Sequence, residues 1–338
     1  MSPRVNQGPL PLSDVGLESA LVDGLAEVER RLEVAVSRTS VLADAPSRHL
    51  LEAGGKRMRP ALALLTAQLG TGTSEEVLEA AVGVELTHLA SLYHDDVMDS
   101  ATTRRGAPSA HQVWGNSVAI LAGDLLFARA SQTVAGLGAE AVKIQAETFE
   151  RLCVGQLHET IGPPDGEDPV EHHLEVLAGK TGSLIAAAAH FGGLFAGLEG
   201  AALESVVTYG ERVGVAFQLA DDVLDLTSSA EVLGKTPGTD LREGVPTMPV
   251  LLLRRAAAAG SVDAEGRRVL DALEGDLSSD EALGAVVQAL ASHPVMEQAR
   301  EMARGYARDA VAALDVLPAS PAKDALSEFA DLAVERLA

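Results

Sequence analysis

Residues 91–106 read Ser-Leu-Tyr-His-Asp-Asp-Val-Met-Asp-Ser-Ala-Thr-Thr-Arg-Arg-Gly, an apolar run that ends in Asp95, Asp96 and Asp99 and is followed by Arg104 and Arg105. On a helix, side chains three and four apart share a face, so the spacing predicts that Asp95 and Asp96 both lie near Asp99. Three carboxylates held that close repel one another unless a cation lies among them. Mg²⁺ suits the place, because it takes hard oxygen ligands, uses one or two protein carboxylates and completes its shell with water and phosphate oxygens. The arginine pair offers forked donors to phosphate. One copy of the pattern would most often be a solvated acidic helix end. A second copy, Asp221, Asp222 and Asp225 behind Gln218 and the apolar run 213–220, favours two metal-holding ends that share one polyphosphate.

A basic stretch stands apart from both acidic ones: Gly54-Gly55-Lys56-Arg57-Met58-Arg59-Pro60. Glycines let backbone N–H groups approach an oxyanion while the cations neutralise it. In a chain with a formal net charge of −23, such a cluster reads as an anion site. The same net charge argues against nucleic acid and against an anionic membrane surface as partners. Glu85 and His88 have the spacing of half a di-iron site, but no other Glu is followed by His three residues on. Gly179-Lys180-Thr181 lacks the upstream glycine of a phosphate-binding loop, since Leu174 stands there.

Helices must carry these groups. Hydrophobic residues make up 47% of the 338 residues and aromatics only 3%, so Ala, Leu and Val form the core, which favours close-packed helices over sheets. Leucine and valine spacing predicts an amphipathic helix over 13–37 with Ser13 as its cap. Ser74, followed by Glu75 and Glu76, opens a helix of about 25 residues, roughly 37 Å long, that ends at the first aspartates. Helices are expected over 117–135 and 140–161, a sharp break over 162–169, and then a buried apolar helix opened by Lys180-Thr181. The stretch 227–245 has the Gly, Pro, Ser and Asp content of a mobile lid. Four or five helices follow, the last capped at Ser320-Pro321. No strand is expected. The economical architecture is all-α, a single domain over 13–338 after a flexible tail over 1–12, with ten or more antiparallel helices around a central cavity. Cys153 is the only cysteine, which fits a reducing cytoplasm and excludes an intramolecular disulfide. The tail lacks the apolar core of a signal peptide, and the longest apolar stretch, 184–198, falls short of a membrane span.

The ordered set of motifs resembles the trans-prenyltransferases, or isoprenyl diphosphate synthases. It includes Gly54 to Pro60, Glu85, His88, His94, the first aspartate motif, Arg104-Arg105-Gly106 and Pro108, followed by Gly123-Asp124, Gly155-Gln156 and Lys180-Thr181. Phe217-Gln218, the second aspartate motif, Gly234-Lys235 and Asp240 complete it. The resemblance implies Mg²⁺, three ions with substrate bound, held by Asp95, Asp99 and Asp221 with Asp96, Asp222 and Asp225 in support. It places Gly55, Lys56, Arg59, His88 and Arg105 on the diphosphate of isopentenyl diphosphate, and Lys180, Gln218 and Lys235 on an allylic diphosphate, with Arg104 and Thr181 beside them. It further implies a homodimer, at most peripheral membrane contact, and head-to-tail condensation. Five residues before Asp95 sits Ala90, with Leu86 deeper on the same helix; in short-product members of the family a bulky residue near this point closes the tunnel, so the resemblance implies a long product, of the kind used for quinone side chains. The alternatives are a farnesyl- or geranylgeranyl-length product and a regulatory subunit of a two-component enzyme, which would be expected to have eroded aspartate motifs. A terpene cyclase would want aromatic walls, and a helical metal buffer would not need the arginines. Two positions depart from the family pattern: Glu159 stands for the usual Asp, and Val245 for the usual Lys.

Overall fold

The computed structural model describes residues 12, 14–37, 41–228, 237–242 and 244–335. Nearly all of them are helical. In chain order, α1 is Val15–Ser37, α2 Val41–Glu52, α3 Met58–Ala67, α4 Glu75–Met98, α5 Ala110–Trp114, α6 Asn116–Ala135, α7 Ala139–Ile161 and α8 Pro169–Leu177. A π-helical turn, Ala178–Gly182, leads into α9, Ser183–Phe195, and then comes α10, Gly200–Thr227. After the short α11, Thr239–Arg242, the chain adds Met248–Ala258, Ala264–Leu273, Asp280–Ser292, Val295–Ala313 and Pro321–Glu335. As far as they are described, residues fall into two compact units. The first comprises Met1–Glu150, Leu184–Gly210 and Ala313–Phe329; the second comprises Arg151–Ser183, Glu211–Ala312 and Ala330–Ala338.

Several helix starts follow the expected capping chemistry. The Ser74 hydroxyl accepts the Val77 N–H at 3.3 Å, with Glu75 and Glu76 in the positive first turn. Ser320 accepts the Lys323 N–H at 3.2 Å, just before Pro321. At α1 the cap expected at Ser13 lies outside the described residues, and the Asp14 carboxylate takes the Leu17 N–H at 2.8 Å. Of the expected tail only Leu12 is described, and it is buried.

In the first unit α4 is buried on almost every side. Leu86 and Leu89 have no exposed surface, and burying such a side chain contributes on the order of 1.5–3 kcal/mol. Close packing depends on small residues: a Cβ on Gly192 of α9 would stand 2.1 Å from the Ala63 carbonyl of α3. Tyr93 fastens α4 to α2, its hydroxyl donating to the Pro46 carbonyl and accepting the Leu50 N–H at 3.3 Å. Burial pushes that phenol up to about 12. The last turn of α4, which holds the first aspartates, is thus fixed from behind.

The second unit has its own core, built from Leu219, Val223 and Leu226 of α10 with Val170 and Leu177 of α8 and Met248, Leu251 and Leu290 from later helices.

Two expectations need correction. Thr103–Arg104 and Ala107–Pro108 pair as a small antiparallel ladder where no strand was expected. Arg105 (φ 54°) and Gly106 (φ 78°) form its turn, and positive φ at both central residues is the type I′ geometry that two-residue hairpins favour. Lys180-Thr181 does not open the apolar helix; it sits in the π-helical turn before it.

Candidate active site

In the first unit, Asp95 is half-buried and Asp99 exposed at the end of α4, four residues apart on one face. Asp96 departs from the expected crowding. One residue round the helix, it points inward with a side chain only 1% exposed, and its Oδ1 accepts both Nε and Nη2 of Arg104 at 2.7 Å. Its Oδ2 is buried with no partner. Burial pushes the Asp96 carboxyl above its usual range, and Arg104 opposes that shift. The hairpin brings Arg104 to this carboxylate.

Within the basic stretch the arginines divide their labour. Arg57, in the left-handed region at φ 50°, donates to both oxygens of Glu29 at 2.8 and 3.0 Å and to Glu85 Oε1 at 3.2 Å, so it holds structure. Arg105 donates to the carbonyls of Leu50, at 3.2 Å, and Gly54. Gly55, at φ 152°, gives way to both: a Cβ there would stand 2.7 Å from Arg57 Nη1 and 2.8 Å from Arg105 Nη1. Arg59 keeps a buried Nε without a partner. Burial lowers Arg59 to about 10, and neighbouring Arg105 adds to the shift, against the pull of Glu85. His88 is held well below its usual range by burial, then by Arg59 and Arg105, and is neutral at pH 7. Glu85 is 1% exposed, and its Oε2 has no partner. Lys56 is exposed. Guanidiniums that depress one another around a single buried carboxylate form a pocket of surplus positive charge, which a multiply charged anion would relieve.

Ala90 and Leu86 have no exposed surface. Ala90 lies where α4 meets α6, its carbonyl 3.2 Å from the place a Gly123 Cβ would occupy. His94 follows on that seam, with Nε2 3.1 Å from the Ile120 carbonyl and 3.3 Å from Asp124 Oδ1.

In the second unit, Asp221 and Asp222 are half-buried and Asp225 is 2% exposed, all within α10 with Gln218 one turn earlier. Asp222 Oδ2 accepts two donors, His173 Nε2 at 2.9 Å and the Met248 N–H at 2.8 Å. Lys180 Nζ lies 2.5 Å from Glu159 Oε2, which also accepts Gln156 Nε2 at 3.0 Å. Glu159 therefore does what the sequence departure left open, pairing with the lysine. Gly155 lets the backbone of the π turn approach α7, since a Cβ there would stand 2.6 Å from the Lys180 backbone nitrogen. The π turn aims Lys180 at this partner, and such turns recur at functional sites. Thr181 is half-buried beside it. Lys235 and Gly234 lie outside the described residues, with the rest of 229–236 and residue 243 of the expected lid; at its far end the Val245 N–H donates to the Asp240 carbonyl at 2.8 Å.

Among the described residues, no three His, Cys, Asp or Glu side chains gather closely enough to close around a metal ion. The donor chemistry nonetheless suits Mg²⁺: Asp95 with Asp99, and Asp221 with Asp225, each put hard oxygens four residues apart, and phosphate oxygens are the usual remaining ligands. Sequence reasoning missed His173. Its partner is 49 residues away, and nothing near it in the chain signals the contact.

A family model described as "Polyprenyl synthetase" matches residues 40–290. The chain is 42% identical over 326 residues to a nonaprenyl diphosphate synthase of Mycobacterium tuberculosis, covering 96% of each. Among solved structures, it superimposes with a TM-score of 0.86 and 41% identity on a geranylgeranyl pyrophosphate synthase of Corynebacterium glutamicum complexed with calcium and isoprenyl diphosphate, covering 97% of this chain and 99% of that one. A decaprenyl diphosphate synthase of Rhodobacter capsulatus gives 0.84 and 32%, covering 96% and 99%.

Proposed function

The chain belongs to the polyprenyl synthetase family, and from that premise we propose that it adds isopentenyl diphosphate to an allylic diphosphate, in the presence of Mg²⁺, to build a long polyprenyl diphosphate. The observation that carries the reading is the Arg59, Arg105 and His88 cluster, where a buried guanidinium nitrogen lacks an acceptor and a second guanidinium, Arg105, stands near it. A diphosphate supplies the missing oxygens.

In this reading Arg59 and Arg105, with exposed Lys56, fix the diphosphate of isopentenyl diphosphate, and neutral His88 adds a hydrogen bond without further charge. Asp95 with Asp99, and Asp221 with Asp225, hold Mg²⁺, supported by the remaining oxygens of Asp96 and Asp222. When bound, Mg²⁺ neutralises the charge that develops on the leaving diphosphate. Lys180 keeps donors to spare beyond Glu159, so it and Gln218 orient the allylic diphosphate, with Thr181 and Lys235 beside them. The allylic C–O bond breaks, the double bond of isopentenyl diphosphate forms the new C–C bond, and loss of a proton restores an allylic double bond. No motif side chain is placed as the base, and an oxygen of the departing diphosphate accepts the proton. Fixing both charged heads supplies much of the rate.

Product length has two readings. The nonaprenyl and decaprenyl synthases and the small Ala90 favour a long chain. The geranylgeranyl synthase, and the complete burial of Ala90 and Leu86, favour a shorter one. Incubating the protein with isopentenyl diphosphate, a set of allylic primers and Mg²⁺, then weighing the products, separates them. The long-chain reading expects products beyond geranylgeranyl length that shorten in Ala90→Phe; an unchanged distribution in that variant would remove the tunnel argument.

The proposal includes a cytoplasmic homodimer. Val118, Ile120 and Leu121 of α6, with Val142 and Phe149 of α7, are exposed apolar side chains of the first unit, and a second copy would cover them. Helix α6 is also long and apolar enough to cross a membrane, with 33% of its apolar window buried; contact with a bilayer is proposed to be peripheral at most. Light scattering on the full chain should give about twice its 35.0 kDa, and the single-chain mass would overturn the dimer.

A further inference from the structure

The proposed chemistry leaves one contact of the second motif without a role. His173, in α8, donates its Nε2–H to Asp222 Oδ2 at 2.9 Å, and the Met248 N–H donates to the same oxygen at 2.8 Å. Both side chains are nearly buried, 13% and 12% exposed. Two converging donors occupy one carboxylate oxygen and fix the plane of the group, so that only Oδ1 is left to face another ligand. A carboxylate on a helix otherwise swings about two side-chain torsions, whereas a ligand to Mg²⁺ must be held close to one geometry. Groups that hydrogen-bond to metal-binding carboxylates tune metal affinity about 10- to 100-fold.

We infer that His173 is a positioning residue for metal–diphosphate binding at the second aspartate motif, acting through Asp222. The inference rests on the reading above that this motif holds metal. Its rival is a purely structural tie between α8 and α10.

His173→Leu keeps bulk and removes the donor, while His173→Gln returns an N–H near the position of Nε2. Calorimetric titration of the full-length protein with Mg²⁺, in the presence of saturating inorganic diphosphate, reads binding without turnover. The expected result is affinity weakened about tenfold or more in His173→Leu and within about threefold of the parent in His173→Gln. The KM for isopentenyl diphosphate should be unchanged in both. Asp221→Ala is the control on the underlying reading. If Asp221→Ala binds Mg²⁺ and diphosphate like the parent, the second motif is not a metal site and the proposed function falls with the inference. If Asp221→Ala loses binding while His173→Leu stays within about twofold of the parent, His173 positions nothing and the inference alone is overturned. Equal losses in His173→Leu and His173→Gln would overturn it too, because the donor would then be irrelevant.

Discussion

The two aspartate motifs share a five-residue pattern and a helical setting, yet their second carboxylates are held by opposite means. Asp96 is tied by charge, with two nitrogens of Arg104 on one oxygen and the side chain 1% exposed. Asp222 is tied by groups that need carry no charge, an imidazole and a backbone N–H that opens the helix Met248–Ala258. The third carboxylates differ as well, Asp99 exposed at a helix end and Asp225 2% exposed within a helix. In both motifs the first and third aspartates are one turn apart on a common face, and the second has one oxygen tied to the surrounding structure. Each motif makes that tie with what its surroundings offer.

Cutting each tether would sharpen that comparison. Arg104→Ala strands a buried carboxylate, and removing one partner of a buried pair is strongly destabilising; with Arg104 32% exposed, a loss of about 2–3 kcal/mol in denaturant unfolding is expected. The loss should depend on pH in a definite sense. Burial already raises Asp96, and without Arg104 it rises further, so the folded protein holds that proton more tightly than the unfolded chain does. The variant's stability is then recovered as pH falls and lost as pH rises through the raised value. A deficit independent of pH would mean that Asp96 is not held by charge. Asp222→Ala should cost less, about 1–2 kcal/mol, because it leaves the Met248 N–H and the His173 ring without an acceptor but no buried ion. If Asp222→Ala proved the more damaging, the contrast between the motifs would be reversed.

Much of this was legible in the sequence because it is local. Ser74 with Glu75 and Glu76, the break after Ile161 and Ser320-Pro321 announce helix ends by chemistry that acts within four residues. The aspartate motifs are legible as repeats, and the basic stretch stands out against the acidic chain. What escaped depends on distant partners or on very short elements. The hairpin 103–108 has two-residue strands, too few for an alternating pattern to register. The inward turn of Asp96 follows from Arg104, eight residues on, which the hairpin returns to it. The π turn at Lys180 is set by close approach to Gly155 and by Glu159, and the contact of His173 with Asp222 spans 49 residues. Helical periodicity sees none of these.

Under the proposed function the first aspartate of each motif serves metal-dependent loss of diphosphate. The direct measurement is Mg²⁺-dependent product formation from isopentenyl diphosphate and an allylic primer by Asp95→Ala and by Asp221→Ala, each shown to be folded. Each substitution is expected to slow turnover about 100- to 1000-fold; near-parental turnover in either variant would contradict the proposed metal role.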